Sequence, residues 1–307
     1  MVSYKYKILL FQGVCKNLNS QKNKEISLFL IYICKMTKDI NDTGLRSIVD
    51  GYDLFFIDIW GVVHNGIKIN NNASQTLTEL KSLNKEFILL TNAPRPNQNV
   101  KSFLLKMGLN ELFAAKVYTS GQAALNYLNL NYKSKSFFHI GPPRDFGLFK
   151  DFEKKKTKNI KEADYLLCTG LFDDYDKDLD YYKDILNSEI NKIMICTNPD
   201  LIVDRGETRE YCAGSVAKIF EKIGGSVEYF GKPYSNVYNL AAKIENKKIL
   251  CIGDNLNTDI KGANLQKFSS LLISNGIHRN EIKKNNIKNL FAKYKVEVDF
   301  IQSELKW

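Results

Sequence analysis

Short apolar runs alternate with longer amphipathic segments along this chain from Leu45 onward. A parallel strand buried on both faces reads as a continuous apolar run, whereas a helix that covers a sheet repeats its apolar positions about every 3.6 residues. The alternation therefore predicts βαβ units and an α/β fold with a doubly wound, Rossmann-like parallel sheet. The predicted strands of this sheet are residues 54–57, 87–90, 116–118, 249–252 and 271–274. The first two predicted helices are residues 74–83, with Ser74 as the N-cap, and 97–107.

The middle of the chain has the pattern of a second, smaller α/β module. Its predicted strands are 137–140, 165–169 and 192–196, and its predicted helices are 121–129 and 178–187. We expect a core of residues 45–119 and 197–290, interrupted by a cap of residues 120–196. Residues 1–44 are expected to be a poorly ordered extension and residues 291–307 a tail. Met36 precedes a more ordinary sequence, so we interpret residues 1–35 as an upstream extension.

Composition excludes several classes of function. The 307 residues are 44% hydrophobic, which suffices for a full core, and carry a formal net charge of +10. Only six of the 44 basic residues are arginine, and phosphate-reading proteins usually rely on arginine, so nucleic acid is not expected as a partner. No apolar run approaches the roughly 18 residues of a spanning helix, so no membrane partner is expected either. Six scattered cysteines without a C-x-x-C pair indicate a reducing, cytoplasmic location.

Polar residues follow the predicted strands at four places, and ligands of open parallel sheets gather beyond these strand ends. Asp58 ends the first strand, Thr91 and Asn92 end the second, and Lys232 lies in the loop Gly-Lys-Pro. Each has an ordinary structural explanation as well. Asp58 can cap the following turn, Thr91 and Asn92 can cap a helix, and Lys232 can be an exposed turn residue.

The fourth strand end is the most specific of the set. Asp254 and Asp259 are five residues apart in the segment Gly-Asp-Asn-Leu-Asn-Thr-Asp, across a predicted strand-to-helix turn. Two carboxylates so placed can converge on a hard cation such as Mg²⁺, which prefers oxygen ligands. Clustered acids without a counter-ion are unusual as a purely structural feature.

Taken in this order, the four strand ends resemble the four motifs of the haloacid dehalogenase (HAD) superfamily, and of its class IIA phosphatases in particular. Further matches are the segments Cys-Thr-Asn-Pro-Asp at 196–200 and Tyr-Cys-Ala-Gly at 211–214. The resemblance covers about residues 45–275. It implies a Mg²⁺-dependent hydrolase of a small phosphorylated metabolite, with a cap inserted between the second and third motifs.

The resemblance also implies a role for each matching residue. Asp58 would attack phosphorus to form an aspartyl-phosphate, and Lys232 would neutralise charge. Thr91 and the backbone of Asn92 would hold the phosphoryl group. The implied ligands of Mg²⁺ are Asp58, the backbone carbonyl of Trp60, Asp254 and Asp259, the last either directly or through another group. Such a site would work by positioning and charge neutralisation.

One position departs from this pattern. Phosphatases of the family usually carry a second Asp two residues after the nucleophile, which protonates the leaving alcohol, and this chain has Trp60 there. Indole donates a hydrogen bond but carries no proton at neutral pH, so turnover is expected to be slow or specialised. His64, six residues beyond Asp58, is a candidate substitute acid and base, and it is equally interpretable as a packing residue.

Three functions stay open on the sequence: a phosphatase, a regulatory protein that binds a phosphoester without turning it over, and a phosphotransferase or hydrolase of activated phosphates. Arg205 and Arg209 enter the core from the cap, where either could meet a substrate anion or form a surface ion pair. The identity of the substrate and the formation of a homodimer are not determined by the sequence.

Overall fold

The computed structural model describes residues 37–205 and 208–307 of the chain. Its larger sheet has seven strands in the order β1-β13-β12-β11-β2-β3-β4, and the pairings from β13 through to β4 are all parallel. The strands of this sheet are β1 (Lys38–Asp39), β2 (Leu54–Ile57), β3 (Glu86–Thr91), β4 (Val117–Thr119), β11 (Ile249–Gly253), β12 (Ser269–Ile273) and β13 (Phe300–Gln302). The expected α/β fold with a parallel sheet is confirmed.

A second sheet of four parallel strands has the order β10-β7-β6-β5. Its strands are β5 (Phe137–Ile140), β6 (Tyr165–Cys168), β7 (Ile193–Cys196) and β10 (Ser226–Tyr229). An antiparallel hairpin, β8 (Ile202–Arg205) and β9 (Thr208–Tyr211), is formed by the chain between β7 and β10.

Ten α-helices connect and cover these strands in the described residues. They are α1 (Asn71–Ser82), α2 (Asn97–Lys106), α3 (Glu111–Ala114), α4 (Ser120–Asn131), α5 (Leu179–Leu186), α6 (Ala213–Lys222), α7 (Ser235–Ala241), α8 (Lys261–Gln266), α9 (Arg279–Lys284) and α10 (Ile287–Tyr294). A π-helical turn, Leu256–Ile260, precedes α8.

The N-cap of α1 differs from the expected one. Asn70, and not Ser74, caps the helix, because its side-chain oxygen accepts hydrogen bonds from the backbone N–H groups of Asn72 and Ala73. The backbone N–H of Asn70 donates to Val63 at 2.8 Å, which fixes where the chain leaves the preceding loop and enters the helix. Ser74 therefore lies inside the first turn.

The apolar core joins the two sheets. One cluster of buried side chains includes Phe56 of β2, Leu90 of β3 and, from the smaller sheet, Phe137 and Ile195. Ala124 of α4 belongs to the same cluster, so this helix packs into the core that both sheets share. The smaller sheet is thus held over the larger one next to the carboxyl end of β4, where α4 begins.

Two segments lie elsewhere than the sequence suggested. β10 belongs to the smaller sheet, so this sheet extends to Tyr229, past the expected end of the cap at residue 196. β13 belongs to the larger sheet and Leu305 is fully buried, so residues 300–305 form part of the core although a tail was expected there. Of the poorly ordered extension expected at residues 1–44, residues 38–39 instead form β1 of the larger sheet and Ile40 is fully buried. Residues 1–36, and with them the proposed upstream extension of residues 1–35, lie outside the described residues.

No helix among the described residues is both long and apolar enough to cross a membrane.

Candidate active site

The central strands of the larger sheet bring three of the four predicted motifs together. β2 lies between β11 and β3. On one side of β2 the sheet goes on through β3 to β4, and on the other side it goes on through β11 to β12 and β13. Asp58, Asn92 and Asp254 each follow directly after one of these three strands. Because parallel strands end at the same edge, all three residues lie where ligands of such sheets bind.

Lys232 lies between two of the acidic residues and is itself buried. Its Nζ atom donates to Asp58 Oδ1 at 2.5 Å, to Asp259 Oδ1 at 2.6 Å and to the Leu90 carbonyl oxygen at 2.9 Å. Burial lowers the pKa of Lys232, but the carboxylates of Asp259 and Asp58 outweigh it and raise this pKa above its usual range. Lys232 is therefore charged, and it holds one oxygen of Asp58 in place.

Asn92 fixes the loop that carries Lys232. Its side-chain oxygen accepts a hydrogen bond from the Lys232 backbone N–H at 2.8 Å, and its amide nitrogen donates to the Lys232 carbonyl oxygen at 3.0 Å. The same nitrogen donates to Asp200 Oδ1 at 3.2 Å. The side chain of Asn92 is thus structural, and its backbone N–H and the neighbouring Thr91 hydroxyl are the groups that could meet a phosphoryl oxygen.

Three buried carboxylates could hold a metal ion. Asp58, Asp254 and Asp259 each offer one oxygen, and these oxygens lie within 4.8 Å of one another. Burial raises the pKa of Asp58 to about 7, against the effect of Lys232 and with that of Asp259, and burial also raises the pKa of Asp254. One lysine does not balance three close carboxylates, so the residues present fit a divalent cation with oxygen ligands.

The glycines around Asp254 indicate how closely its carboxylate is surrounded by backbone. A Cβ atom at Gly61 would lie 2.1 Å from Asp254 Oδ2, and one at Gly276 would lie 2.1 Å from the same atom. Asp254 Oδ2 also accepts a hydrogen bond from the Ile277 backbone N–H at 2.8 Å. Both side-chain oxygens of Asp259 already accept hydrogen bonds, one from Lys232 and one from the Asn255 backbone N–H. Asp254 is the better placed of the two as a direct ligand.

A cavity of about 270 Å³ opens over these groups. Its lining includes Asp58, Thr91, Lys232, Asp254 and Asp259, which the sequence predicted as site residues. Two further charged residues of the lining, Asp200 and Arg279, had no role assigned from the sequence. Asp200 follows β7 of the smaller sheet and Arg279 begins α9, so only the tertiary structure brings them to the site.

A second cavity of about 590 Å³ adjoins the first. The two cavities lie side by side, because they share the lining residues Trp60, Thr91, Asn92, Asp200 and Val203. The walls of the second cavity come from the loops after β2, β3, β5 and β6 and from β9. It offers room beside the acidic cavity for the larger part of a bound ligand.

Trp60 and His64 lie at the junction of the cavities. The Trp60 indole packs edge-on to the His64 ring, with centroids 5.0 Å apart, and it lies so close to Gly66 that a Cβ there would be 2.9 Å from it. His64 lines the larger cavity and not the acidic one. Its Nδ1 atom accepts a hydrogen bond from the Gly66 backbone N–H at 2.8 Å, which places any proton of the neutral ring on Nε2. Burial lowers the pKa of His64 to about 4.

The two candidate arginines lie in the hairpin of β8 and β9. Arg209 is exposed and its guanidinium donates to the Ile277 carbonyl oxygen at 3.5 Å, and Arg209 lines neither cavity. Arg205 is the last residue of β8, next to residues 206–207, which lie outside the described residues. The side chains that the structure does place in the cavities from this hairpin are Ile202, Val203, Glu210 and Tyr211.

Comparisons with known proteins agree with this geometry. Residues 55–154 match the model of the haloacid dehalogenase-like hydrolases, and residues 229–294 match that of the HAD-hydrolase-like proteins. A crystal structure of a haloacid dehalogenase-like hydrolase from Brucella suis 1330 is 32% identical in sequence, with a TM-score of 0.70 over 76% of this chain and 90% of that one. Phosphoglycolate phosphatase 2 of Arabidopsis thaliana is 23% identical over 78% of this chain and 88% of its own length.

A third similar protein is a glycerol phosphate phosphatase from Mycobacterium tuberculosis, whose crystal structure is a complex with calcium. It is 21% identical, with a TM-score of 0.58, and the match covers 75% of this chain and 68% of that one. This chain therefore shares its fold with the glycerol phosphate phosphatase. With the Brucella suis protein it shares both the fold and 32% of the aligned sequence. This chain belongs to the haloacid dehalogenase-like family of hydrolases.

Proposed function

We propose that this protein is a Mg²⁺-dependent phosphatase of class IIA type, which hydrolyses a small phosphorylated metabolite through an aspartyl-phosphate at Asp58. The observation that carries the proposal is the contact of one buried lysine, Lys232, with Asp58 and Asp259 beside the carboxylate of Asp254. The phosphatases named among its relatives support the same reaction class.

Asp58 is arranged to act as the nucleophile. Lys232 holds Oδ1, which leaves Oδ2 to form a bond to phosphorus while the bond from phosphorus to the leaving oxygen breaks. The Thr91 hydroxyl and the Asn92 backbone N–H would orient the phosphoryl oxygens. The leaving oxygen takes its proton from solvent, because the indole at position 60 supplies none. A water molecule then attacks phosphorus while the bond from phosphorus to Asp58 Oδ2 breaks, so that phosphate leaves with the oxygen and protons of the water and the Asp58 carboxylate is restored.

Asp58, Asp254 and the Trp60 carbonyl oxygen are the groups that would hold the cation, with Asp259 orienting Lys232. A bound Mg²⁺ would reduce the repulsion between the Asp58 carboxylate and an anionic phosphoester. The Mycobacterium tuberculosis relative was crystallised in complex with calcium, which supports the binding of a divalent ion by a protein of this fold.

Phosphate release from p-nitrophenyl phosphate and from a panel of phosphorylated metabolites tests the proposal. We expect release that depends on Mg²⁺, is lost with a chelator, and falls at least about 10³-fold in Asp58→Asn, because the amide is a poor nucleophile. Asp50→Asn, at an exposed position that lines neither cavity, is the matched control for loss of one carboxylate. Release that is unchanged in Asp58→Asn would contradict the nucleophilic role.

A second function is favoured by one specific observation, which is Trp60 in the place of the family's acid. A protein without that acid could hold a phosphoester and signal its presence without turning it over. Saturable binding of the same metabolites, measured by calorimetry with Mg²⁺ present, together with no phosphate release from any of them, would select this function.

A further inference from the structure

The charge of the larger cavity indicates what kind of leaving group it accepts. Its lining contains two arginines, Arg95 and Arg144, and no lysine, as far as the described residues go. Five carboxylates line the same cavity: Asp145, Asp173, Asp176, Asp200 and Glu210. Carboxylates therefore outnumber the basic groups in this space.

Both arginines are paired with carboxylates that belong to other loops of the same cavity wall. Arg95 Nε lies 3.2 Å from Oδ1 of Asp145, which is buried, and Arg144 Nη1 lies 2.6 Å from Asp173 Oδ1. An arginine already paired in this way attracts a second anion less strongly than a free one. The cavity thus offers little to a substrate that carries a carboxylate on its leaving group.

Aromatic side chains form a further part of the wall of this cavity. The rings of Trp60, Phe103 and Tyr211 line this cavity, and Phe103 and Tyr211 are each about two-fifths exposed. Aromatic faces attract cations, and ammonium groups gain further from carboxylates nearby. Both kinds of group are present in the same space.

We propose that the physiological substrate is the phosphomonoester of an amino alcohol, whose ammonium group lies in the larger cavity among these carboxylates and aromatic rings. This inference rests on the proposed phosphatase function. It separates this protein from a phosphatase of carboxylate-bearing esters, such as the phosphoglycolate phosphatase it resembles.

Three phosphomonoesters of similar size test the inference, because they differ mainly in the charge at the far end of a two-carbon leaving group. They are ethanolamine phosphate, 2-hydroxyethyl phosphate and phosphoglycolate, with p-nitrophenyl phosphate as the reference. We expect kcat/KM to be highest for ethanolamine phosphate, lower for 2-hydroxyethyl phosphate and lowest for phosphoglycolate. At low ionic strength the value for ethanolamine phosphate should be at least about tenfold above that for phosphoglycolate. Equal values, or a preference for phosphoglycolate, would overturn the inference.

A pair of variants separates the effect of the cavity from the intrinsic reactivity of the three esters. Asp176 lines the cavity and Asp174, two residues away in the same loop, does not, and both are exposed. Asp176→Asn should lower the ratio of kcat/KM for ethanolamine phosphate to that for phosphoglycolate by about threefold, while Asp174→Asn should leave it unchanged. The same ratio in both variants would overturn the inference.

A third variant acts on the paired arginine. Asp173→Asn removes the partner of Arg144, so it should shift the same ratio toward phosphoglycolate by more than Asp176→Asn does. No shift would contradict the charge argument. Failure of the proposed function gives a different result, since no phosphate would then be released even from p-nitrophenyl phosphate, and both proposals would fall together.

Discussion

Trp60 is the residue that most affects the chemistry of this site. It lies two residues after Asp58, its ring packs against Gly66 and His64, and it lines both cavities. At this position a carboxylic acid would reach the leaving oxygen, whereas indole supplies no proton. The enzyme should therefore turn over alkyl phosphates, the phosphomonoesters of amino alcohols among them, more slowly than esters whose leaving groups need no acid.

Trp60→Asp tests this explanation. If the ordinary mechanism lacks only its acid, the change should raise kcat for an alkyl phosphate by about 10²-fold and leave kcat for p-nitrophenyl phosphate nearly unchanged. The measurement is the ratio of the two rates, which is insensitive to a general loss of folded protein. Trp60→Phe, which removes the ring N–H without adding an acid, is the control and should leave the ratio as it is. A fall of both rates in Trp60→Asp would show that the indole has a role of its own.

His139 makes the stability of the protein depend on pH. It is buried on β5 and its Nε2 atom lies 2.8 Å from Thr169 Oγ1. Burial, with a smaller contribution from Lys156, lowers its pKa from 6.5 to about 3. Between these values the unfolded chain binds the proton and the folded protein does not, so the stability from this residue is complete above about pH 6.5 and decreases as the pH falls.

His139→Gln should remove this part of the pH dependence. At pH 5 the histidine is expected to cost about 2 kcal/mol of unfolding free energy relative to pH 7.5. Urea denaturation of the wild type and the variant at both pH values measures it. The decrease in unfolding free energy between pH 7.5 and pH 5 should be smaller in the variant by about that amount. An equal decrease in both proteins would show that His139 does not cause this pH dependence.

At the scale of elements, the start of α4 is packed directly against the loop that follows β3. A Cβ atom at Gly121 would lie 2.3 Å from the Arg95 backbone nitrogen, and the Gly121 N–H donates to the Ala93 carbonyl oxygen at 3.1 Å. Only a residue without a side chain allows this approach. The loop so positioned begins with Thr91 and Asn92.

Gly121→Ala should therefore affect both stability and activity. Overpacking is expected to cost about 1 to 3 kcal/mol of unfolding free energy and to lower kcat/KM by displacing the Thr91 loop. Gly51→Ala is the control, because a Cβ at Gly51 meets nothing within 4 Å and its backbone needs no left-handed conformation. Thermal denaturation and phosphatase assays of both variants measure the difference. Equal effects in the two variants would contradict the packing argument.

The sequence predicted the larger elements well and the smallest ones poorly. β2 and β5 have the predicted bounds, because continuous apolar runs with clear flanks define them. β10 and β13 were missed, since four residues of mixed polarity and three residues at the end of the chain carry no periodic signal. Their pairing with β7 and β12 is decided by tertiary contacts.

At the scale of the whole molecule, the metal site should couple to folding. Asp58, Asp254 and Asp259 are buried together, and their mutual repulsion disfavours the folded protein when no cation is bound. A ligand that binds the folded protein alone raises its stability, by about 2.7 kcal/mol at a hundred times its Kd.

Mg²⁺ should accordingly raise the melting temperature of the wild type, and Asp254→Asn should abolish this shift. The variant should also melt higher than the wild type in the presence of a chelator, because one of the repelling carboxylates is gone. Differential scanning calorimetry with and without Mg²⁺ measures both effects, with Asp50→Asn as the control at an exposed position. A Mg²⁺ shift that persists in Asp254→Asn would place the ion elsewhere.

The parallel α/β fold and the order of the four motifs that carry Asp58, Thr91, Lys232 and Asp254 follow from the sequence alone, because continuous apolar runs, the polar residues after them and the Gly-Lys-Pro loop are local features. The tertiary structure decided the rest: the pairing of Lys232 with two carboxylates, the arrival of Asp200 and Arg279, and the acidic second cavity. These contacts join residues that are far apart along the chain. Which side chains meet at the sheet edge depends on strand order and on the packing of one sheet over the other, and neither is written in any single segment.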